Sequence, residues 1–199
     1  KLGFEAVKRG AQDYLVRSEL SERSIRRAIL YSLERHQILD SLYKTTIVDE
    51  LTELYNRRGF YTMGNEQIGL AKRHNEEIFI FYIDLDGMKD INDNVGHLYG
   101  DRALVDTAQI MKKSFRNTDI LARIGGDEFV AMAVRAKSEF VPIISERIED
   151  CVNEENLTLK KYQLSLSIGV GKVNLDSTKP LDDAISIADQ EMYKSKTKR

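Results

Sequence analysis

Residues 78 to 84 read IFIFYID, a short apolar run rich in β-branched and aromatic side chains that ends in an acid. A run this uniform predicts a strand buried on both faces. Its surroundings supply the layers that such a strand needs. A helix is expected from Arg57 to Asn75, carrying Phe60, Met63, Ile68 and Leu70, after a turn or cap at Asp49. Another is expected from about Leu98 to Arg116, then a strand at 119 to 124 and a second at 128 to 134. Gly125-Gly126 between those two strands is a hairpin signal. A helix from Ser138 to about Asn153, a strand at 164 to 171 and a helix from Pro180 to Lys196 complete the pattern. The fold class expected is α/β: an α+β sandwich with a palm-like, mostly antiparallel central sheet flanked by helices.

An N-terminal helical extension precedes this domain. From Ser21 to about Ile47 there is no Gly or Pro, and Ile25, Ile29, Leu33, Leu39 and Leu42 recur at near-helical spacing. Either a bundle or coiled-coil face, or packing on a further domain, would account for that stripe.

Composition narrows the function classes. A chain of 199 residues, 42% apolar and 31% charged, can bury a real core. A net charge of -2 argues against a surface that coats a nucleic acid polymer, while leaving room for a small anionic ligand. The one cysteine, Cys151, has no partner for an internal disulfide and reads as a half-buried small residue; a reducing, cytoplasmic setting fits. No apolar run reaches membrane-spanning length, and Lys1 does not open a signal peptide.

The acids carry the chemistry. If the hairpin 119 to 134 pairs beside strand 78 to 84, then Asp84, Asp127 and Glu128 fall at one edge of the sheet. Close carboxylates raise one another's pKa unless a cation sits between them, and hard oxygen ligands select Mg²⁺ or Mn²⁺. Two such metals can polarise an α-phosphate, stabilise a leaving pyrophosphate and activate an attacking hydroxyl. Spacing therefore reaches a palm-like nucleotidyl-transfer site. Solvated acids at an exposed turn are the alternative, but they leave the acid-ended apolar strand unexplained.

The stretch RIGGDEF (123 to 129) resembles the signature of the GGDEF family, the diguanylate cyclases of bacterial signalling. DELTELYNRR (49 to 58), YIDLDGMKDINDNVGHLYGD (82 to 101), SLSIGVG (165 to 171) and ADQEMYKSK (188 to 196) are similar to further motifs of that family, in the family's order. Residues 49 to 199 are thus identified as a GGDEF domain. Residues 1 to 20, with GAQDYLVRSEL, resemble the end of a response-regulator receiver domain, and 21 to 48 would be a helical linker. The receiver's phosphoacceptor aspartate is expected upstream.

The resemblance implies roles position by position. Asp84, the Leu85 carbonyl, Asp127 and Glu128 would bind two Mg²⁺ or Mn²⁺, with Asp84, Asp127 and Glu128 catalytic. Asn92 and Asp101 would read the guanine edge of GTP, an amide and a carboxylate meeting its acceptor and donors. Gly87, Met88 and Lys89 match a loop that faces the triphosphate, with Met where the family commonly has Phe. Gly125 and Gly126 would keep Cβ atoms away from the phosphates, and Lys196 would bind them. Arg116 and Asp119, in RNTD, match an inhibitory RxxD motif for cyclic di-GMP, joined by Arg147. The implied function is condensation of two GTP into cyclic di-GMP and two pyrophosphates by a homodimer, with product feedback inhibition. Rivals are a catalytically silent module that binds GTP or cyclic di-GMP, a dimerisation element with a vestigial site, and another palm-like nucleotidyl transferase.

Overall fold

The apolar run at 78 is a strand, Ile78–Leu85, and all eight of its residues are buried. The computed structural model describes residues 5 and 21–197, the stretch 36–46 by its backbone alone. The expected receiver remnant at 1 to 20 lies outside the described residues, Glu5 excepted. In chain order the elements are α1 (Glu22–Ile47), β1 (Tyr55–Asn56), α2 (Arg57–His74), β2 (Ile78–Leu85), α3 (Met88–Val95), α4 (His97–Ser114), β3 (Ile120–Arg123), β4 (Glu128–Val134), α5 (Val141–Thr158), β5 (Leu166–Lys172) and α6 (Pro180–Lys196). A single 3₁₀ turn, Ser138–Phe140, leads into α5. The chain divides into two units, Lys1–Thr46 and Ile47–Arg199. No helix among the described residues is long and apolar enough to cross a membrane.

In the larger unit the five strands lie in the order β1-β3-β4-β2-β5. Only β1 and β3 run parallel; the other pairs are antiparallel. β2 therefore has a strand on each edge as well as helices on each face. Because side chains alternate along a strand, Phe79, Phe81, Ile83 and Leu85 join one core with Leu104, Ala108 and Met111 of α4 and Ile148 of α5. Ile78, Ile80 and Tyr82 join the other core with Phe60 and Ile68 of α2 and Ala184, Ala188 and Met192 of α6. Burying each large apolar side chain stabilises the fold by about 1.5–3 kcal/mol, which is why a run with no polar face belongs in the middle.

Two expectations at the level of elements are corrected. The segment read as a nucleotide loop at Met88 and Lys89 is the first turn of α3, an amphipathic helix that buries Ile91. Gly87 precedes it in the left-handed region, at φ 70°, a conformation that favours a residue without Cβ. The short β1 also escaped notice: two residues are too few to show periodicity, and the partner strand β3 is far along the chain.

α6 lies close enough to β5 that glycine is required between them. A Cβ on Gly169 would stand 2.0 Å from the Ala188 carbonyl oxygen, and one on Gly171 would stand 2.3 Å from that of Ala184. Both obstacles are backbone, so neither can swing aside. This contact sets the line along which α6 delivers its C-terminal lysine to the end of β2. Gly169→Ala should destabilise the domain by about 1–3 kcal/mol or more through overpacking, read as a lower midpoint in urea unfolding.

The smaller unit contributes α1. Its start is closed by reciprocal bonds: the Ser24 amide donates to Ser21 Oγ at 3.1 Å, and the Ser21 amide donates to Ser24 Oγ at 2.9 Å. Ile25, Ile29 and Leu33 are exposed on it, with Leu30 and Tyr31.

Candidate active site

Asp84 is the seventh residue of β2 and pairs in register with Glu128, the first residue of β4. Directly paired residues of antiparallel strands project to the same face, so the two acids share the side of the sheet that carries α2 and α6. Asp127 sits in the turn just before Glu128, and its carbonyl accepts from the Leu85 amide at 3.0 Å. The Leu85 side chain is fully buried on the opposite face, which leaves only its backbone for the site. The fold thus brings Asp84, Leu85, Asp127 and Glu128 to one sheet edge.

Among the described residues no three His, Cys, Asp or Glu side chains converge as a metal cage. Asp84 Oδ1 instead accepts from Lys196 Nζ at 2.5 Å, across 112 residues of sequence. Lys196 is also 3.7 Å from Asp86 Oδ1. Glu128 Oε1 accepts from the Tyr82 hydroxyl at 2.8 Å, and its Oε2 lies against Gly125, where a Cβ would come within 2.1 Å. An ammonium thus stands where a cation balances Asp84. A hard divalent ion such as Mg²⁺ usually takes one or two carboxylates and draws other ligands from water and phosphates. Asp84, Glu128 and a backbone carbonyl suit that pattern better than a closed protein cage.

The electrostatics carry the cost of this crowding. Burial pushes the Asp84 carboxyl above its ordinary value; Lys196 works against that, and the charges of Asp127 and Asp86 reinforce it. The Lys196 ammonium is held above its ordinary value, chiefly by its bond to Asp84. An ion pair alone would lower Asp84, so desolvation outweighs its partner.

Next to the acids a cleft of about 500 Å³ is lined by Met88, Lys89, Asn92, Asp101, Gly126 and Asp127, among others. It gathers the expected guanine-reading pair and part of the expected phosphate loop. Asn92 lies across Gly100: a Cβ there would come within 2.1 Å of its Oδ1. Gly100 thereby makes room for the amide. The first turn of α3, with Lys89, contributes free helix N–H groups of the kind that receive anions.

Three residues of the site were not picked out in the sequence. Arg123 donates from Nε and Nη2 to the Gly126 carbonyl at 3.1 and 2.7 Å, and its Nη1 lies 3.4 Å from Asp49. It thus holds the glycine turn to the turn at 49 to 52. Asp86 accepts from Ser165 Oγ at 2.8 Å and Ser167 Oγ at 2.7 Å, joining the strand end to β5. Tyr82 holds Glu128. Proximity to the motif was a signal for Arg123; nothing in the sequence announced the other two contacts.

The expected inhibitory residues also meet. Arg116, Asp119 and Arg147 line one small cavity of about 30 Å³ together with Phe140 and Ile144. Asp119 is engaged by the backbone: Oδ2 accepts from the Arg116 amide at 2.8 Å and Oδ1 from the Val134 amide at 3.1 Å. Burial raises its pKa despite those bonds and the two arginines. Arg147 Nη1 donates to the Ser114 carbonyl at 3.0 Å.

The raised pKa of Asp84 has a measurable consequence. A carboxyl that holds its proton more tightly when folded costs stability once it ionises, so that cost grows as pH rises from the ordinary aspartate range through the folded value. Asp84→Asn should therefore be more stable than the parent at pH 7, and the gap should narrow as pH falls towards 4, followed by urea unfolding at each pH.

Comparison with known proteins agrees with this architecture. The family model described as "Diguanylate cyclase, GGDEF domain" matches residues 46–199. Diguanylate cyclase A of Treponema denticola is 36% identical over 163 residues, covering 78% of this chain and 43% of that protein. Diguanylate cyclase DgcP of Escherichia coli is 31% identical over 158 residues, covering 78% and 46%. The chain thus spans less than half the length of these relatives. Among solved structures, diguanylate cyclase SiaD from Pseudomonas aeruginosa, in complex with its activator SiaC, superposes with TM-score 0.74 at 26% identity, over 89% of this chain and 68% of that one. The coiled coil and GGDEF domain of DgcB from Caulobacter crescentus, in complex with c-di-GMP, shares the fold at TM-score 0.77 and 20% identity, over 88% and 94%. With its sheet order, its acidic strand end and a family match over 46–199, the chain belongs to the GGDEF domain family of diguanylate cyclases.

Proposed function

We propose that residues 49 to 199 form a diguanylate cyclase domain that condenses two GTP into cyclic di-3',5'-GMP with release of two pyrophosphates. The observation that carries this is the pairing of Asp84 with Glu128 at a sheet edge beside the cleft of Asn92 and Asp101. In each of two steps the 3'-oxygen of one GTP forms a bond to the α-phosphorus of the other, the hydroxyl proton leaves, and the bond to pyrophosphate breaks. Two Mg²⁺ or Mn²⁺ bound by Asp84, Glu128, Asp127 and the Leu85 carbonyl would supply charge neutralisation at the α-phosphate and acidify the hydroxyl. The protein groups do the positioning. Asn92 and Asp101 hold the guanine edge. Gly87, Met88 and Lys89, at the start of α3, face the triphosphate, and Gly125 and Gly126 leave it room. Lys196 leaves Asp84 for a phosphate oxygen once the nucleotide arrives.

One domain holds one GTP, so the reaction needs a homodimer with two sites face to face, and the helix at 21 to 48 governs how often they meet. The receiver remnant at 1 to 20 would link that helix to an upstream signal. GTP as substrate makes the cytoplasm the place of action. Arg116, Asp119 and Arg147 form a second site at which cyclic di-GMP inhibits.

One observation favours the rival reading of a silent binding module: the Lys196 ammonium already satisfies Asp84. Incubation with GTP and Mg²⁺ over a range of protein concentrations, with products identified by mass, separates the two. Cyclic di-GMP should form with steeper than linear dependence on protein, and Glu128→Gln should abolish it. Nucleotide binding without product would establish the module. Arg116→Ala should raise the product concentration needed for half-inhibition by about tenfold, the worth of a charge-assisted hydrogen bond.

A further inference from the structure

We propose that Tyr82 is a positioning residue of the acidic site, its hydroxyl holding the Glu128 carboxylate in the orientation that a divalent cation meets. The inference rests on the reading of Asp84 and Glu128 as metal ligands.

Tyr82 stands two residues before Asp84 on β2, so both side chains project to the same face. The residue is 6% exposed and belongs to the core that includes Val130, Ala188 and Met192. The hydroxyl therefore stands on an anchored ring. It donates to Glu128 Oε1 at 2.8 Å. A phenol keeps its proton at physiological pH, so the hydroxyl is the donor in this pair.

The other carboxylate oxygen lies against Gly125. Oε2 occupies the space that a side chain on Gly125 would take, 2.1 Å from an ideal Cβ. Glu128 is thus clamped between a hydroxyl and a bare glycine. Without the clamp, a flexible glutamate paired against Asp84 would be driven outwards by like charge. Tyr82 offers it a neutral donor, which keeps the carboxylate near the strand end without cancelling its charge. A partner that orients a metal ligand in this way typically changes affinity or activity by about 10–100-fold when removed. Tyr82→Phe deletes only the hydroxyl and leaves the ring in the core.

The test uses the full chain with Mn²⁺ and a non-hydrolysable GTP analogue, following free Mn²⁺ by electron paramagnetic resonance. Tyr82→Phe should weaken Mn²⁺ binding by about tenfold and lower kcat with little change in KM for GTP, while cyclic di-GMP affinity is retained. Gly125→Ala, whose nearest obstacle is the carboxylate end of the Glu128 side chain, should weaken Mn²⁺ binding similarly, and the double variant should lose little more than either single one. Mn²⁺ affinity within twofold of the parent for Tyr82→Phe, or for Gly125→Ala should Tyr82→Phe not fold, would overturn the proposal. Glu128→Gln separates the two levels of failure. If it weakens Mn²⁺ binding and Tyr82→Phe does not, the role of Tyr82 alone falls. If Glu128→Gln also binds Mn²⁺ as the parent does, the metal-site reading falls with it.

Discussion

The structure depends on the burial of β2 from every side. Its apolar residues are shared between two cores, α4 and α5 on one face and α2 and α6 on the other, and β4 and β5 flank its edges. A strand held this way cannot shift without moving the whole sheet. Its last polar residue is therefore a fixed point, and Asp84 is that residue. Rigidity at this end is the condition for a site in which carboxylate placement decides function.

That fixed point creates an electrostatic problem, and the surrounding chain is arranged around it. Asp84 is 8% exposed, with Glu128 opposite and Asp86 two residues on. Lys196 pairs with Asp84 and also lies 3.7 Å from Asp86, Tyr82 holds Glu128, and Ser165 and Ser167 hold Asp86. Only the first of these partners carries charge. The edge therefore stays rich in negative charge, while among the described residues no buried side-chain polar atom is unsatisfied. Such an arrangement suits a place that receives cations and phosphates in turn.

Close backbone packing delivers these partners. Gly169 and Gly171 let α6 lie on β5 at a distance that any side chain would prevent, and Lys196 at the end of α6 reaches the end of β2 for that reason. Arg123 does the same for the turn, holding the Gly126 carbonyl on one side and Asp49 on the other. In the first case glycines of β5 make room for the helix that carries the cation; in the second a long cation bridges two turns.

Much of this was legible in the sequence. The run IFIFYID determined a doubly buried strand because no face of it could meet water, and Gly125-Gly126 between apolar strands signalled a hairpin. Asp84 and the Asp127-Glu128 pair then share one edge once that hairpin lies beside β2, a pairing that the structure supplies. Local pattern could not show which face of β2 Asp84 would occupy, since both faces are apolar; the pairing with Glu128 and the seating of α6 decided that. Nor could it show that Met88 and Lys89 open a helix, because eight residues following a left-handed glycine hold too short a period to read. The contacts of Tyr82 with Glu128, Asp86 with two serines and Lys196 with Asp84 join residues 46 to 112 positions apart. Local sequence pattern was enough for the longer strands and helices and for the acids at their ends, though not for β1 or α3. The tertiary structure alone decided what neutralises each acid, because that depends on which distant chains packing brings within hydrogen-bond reach.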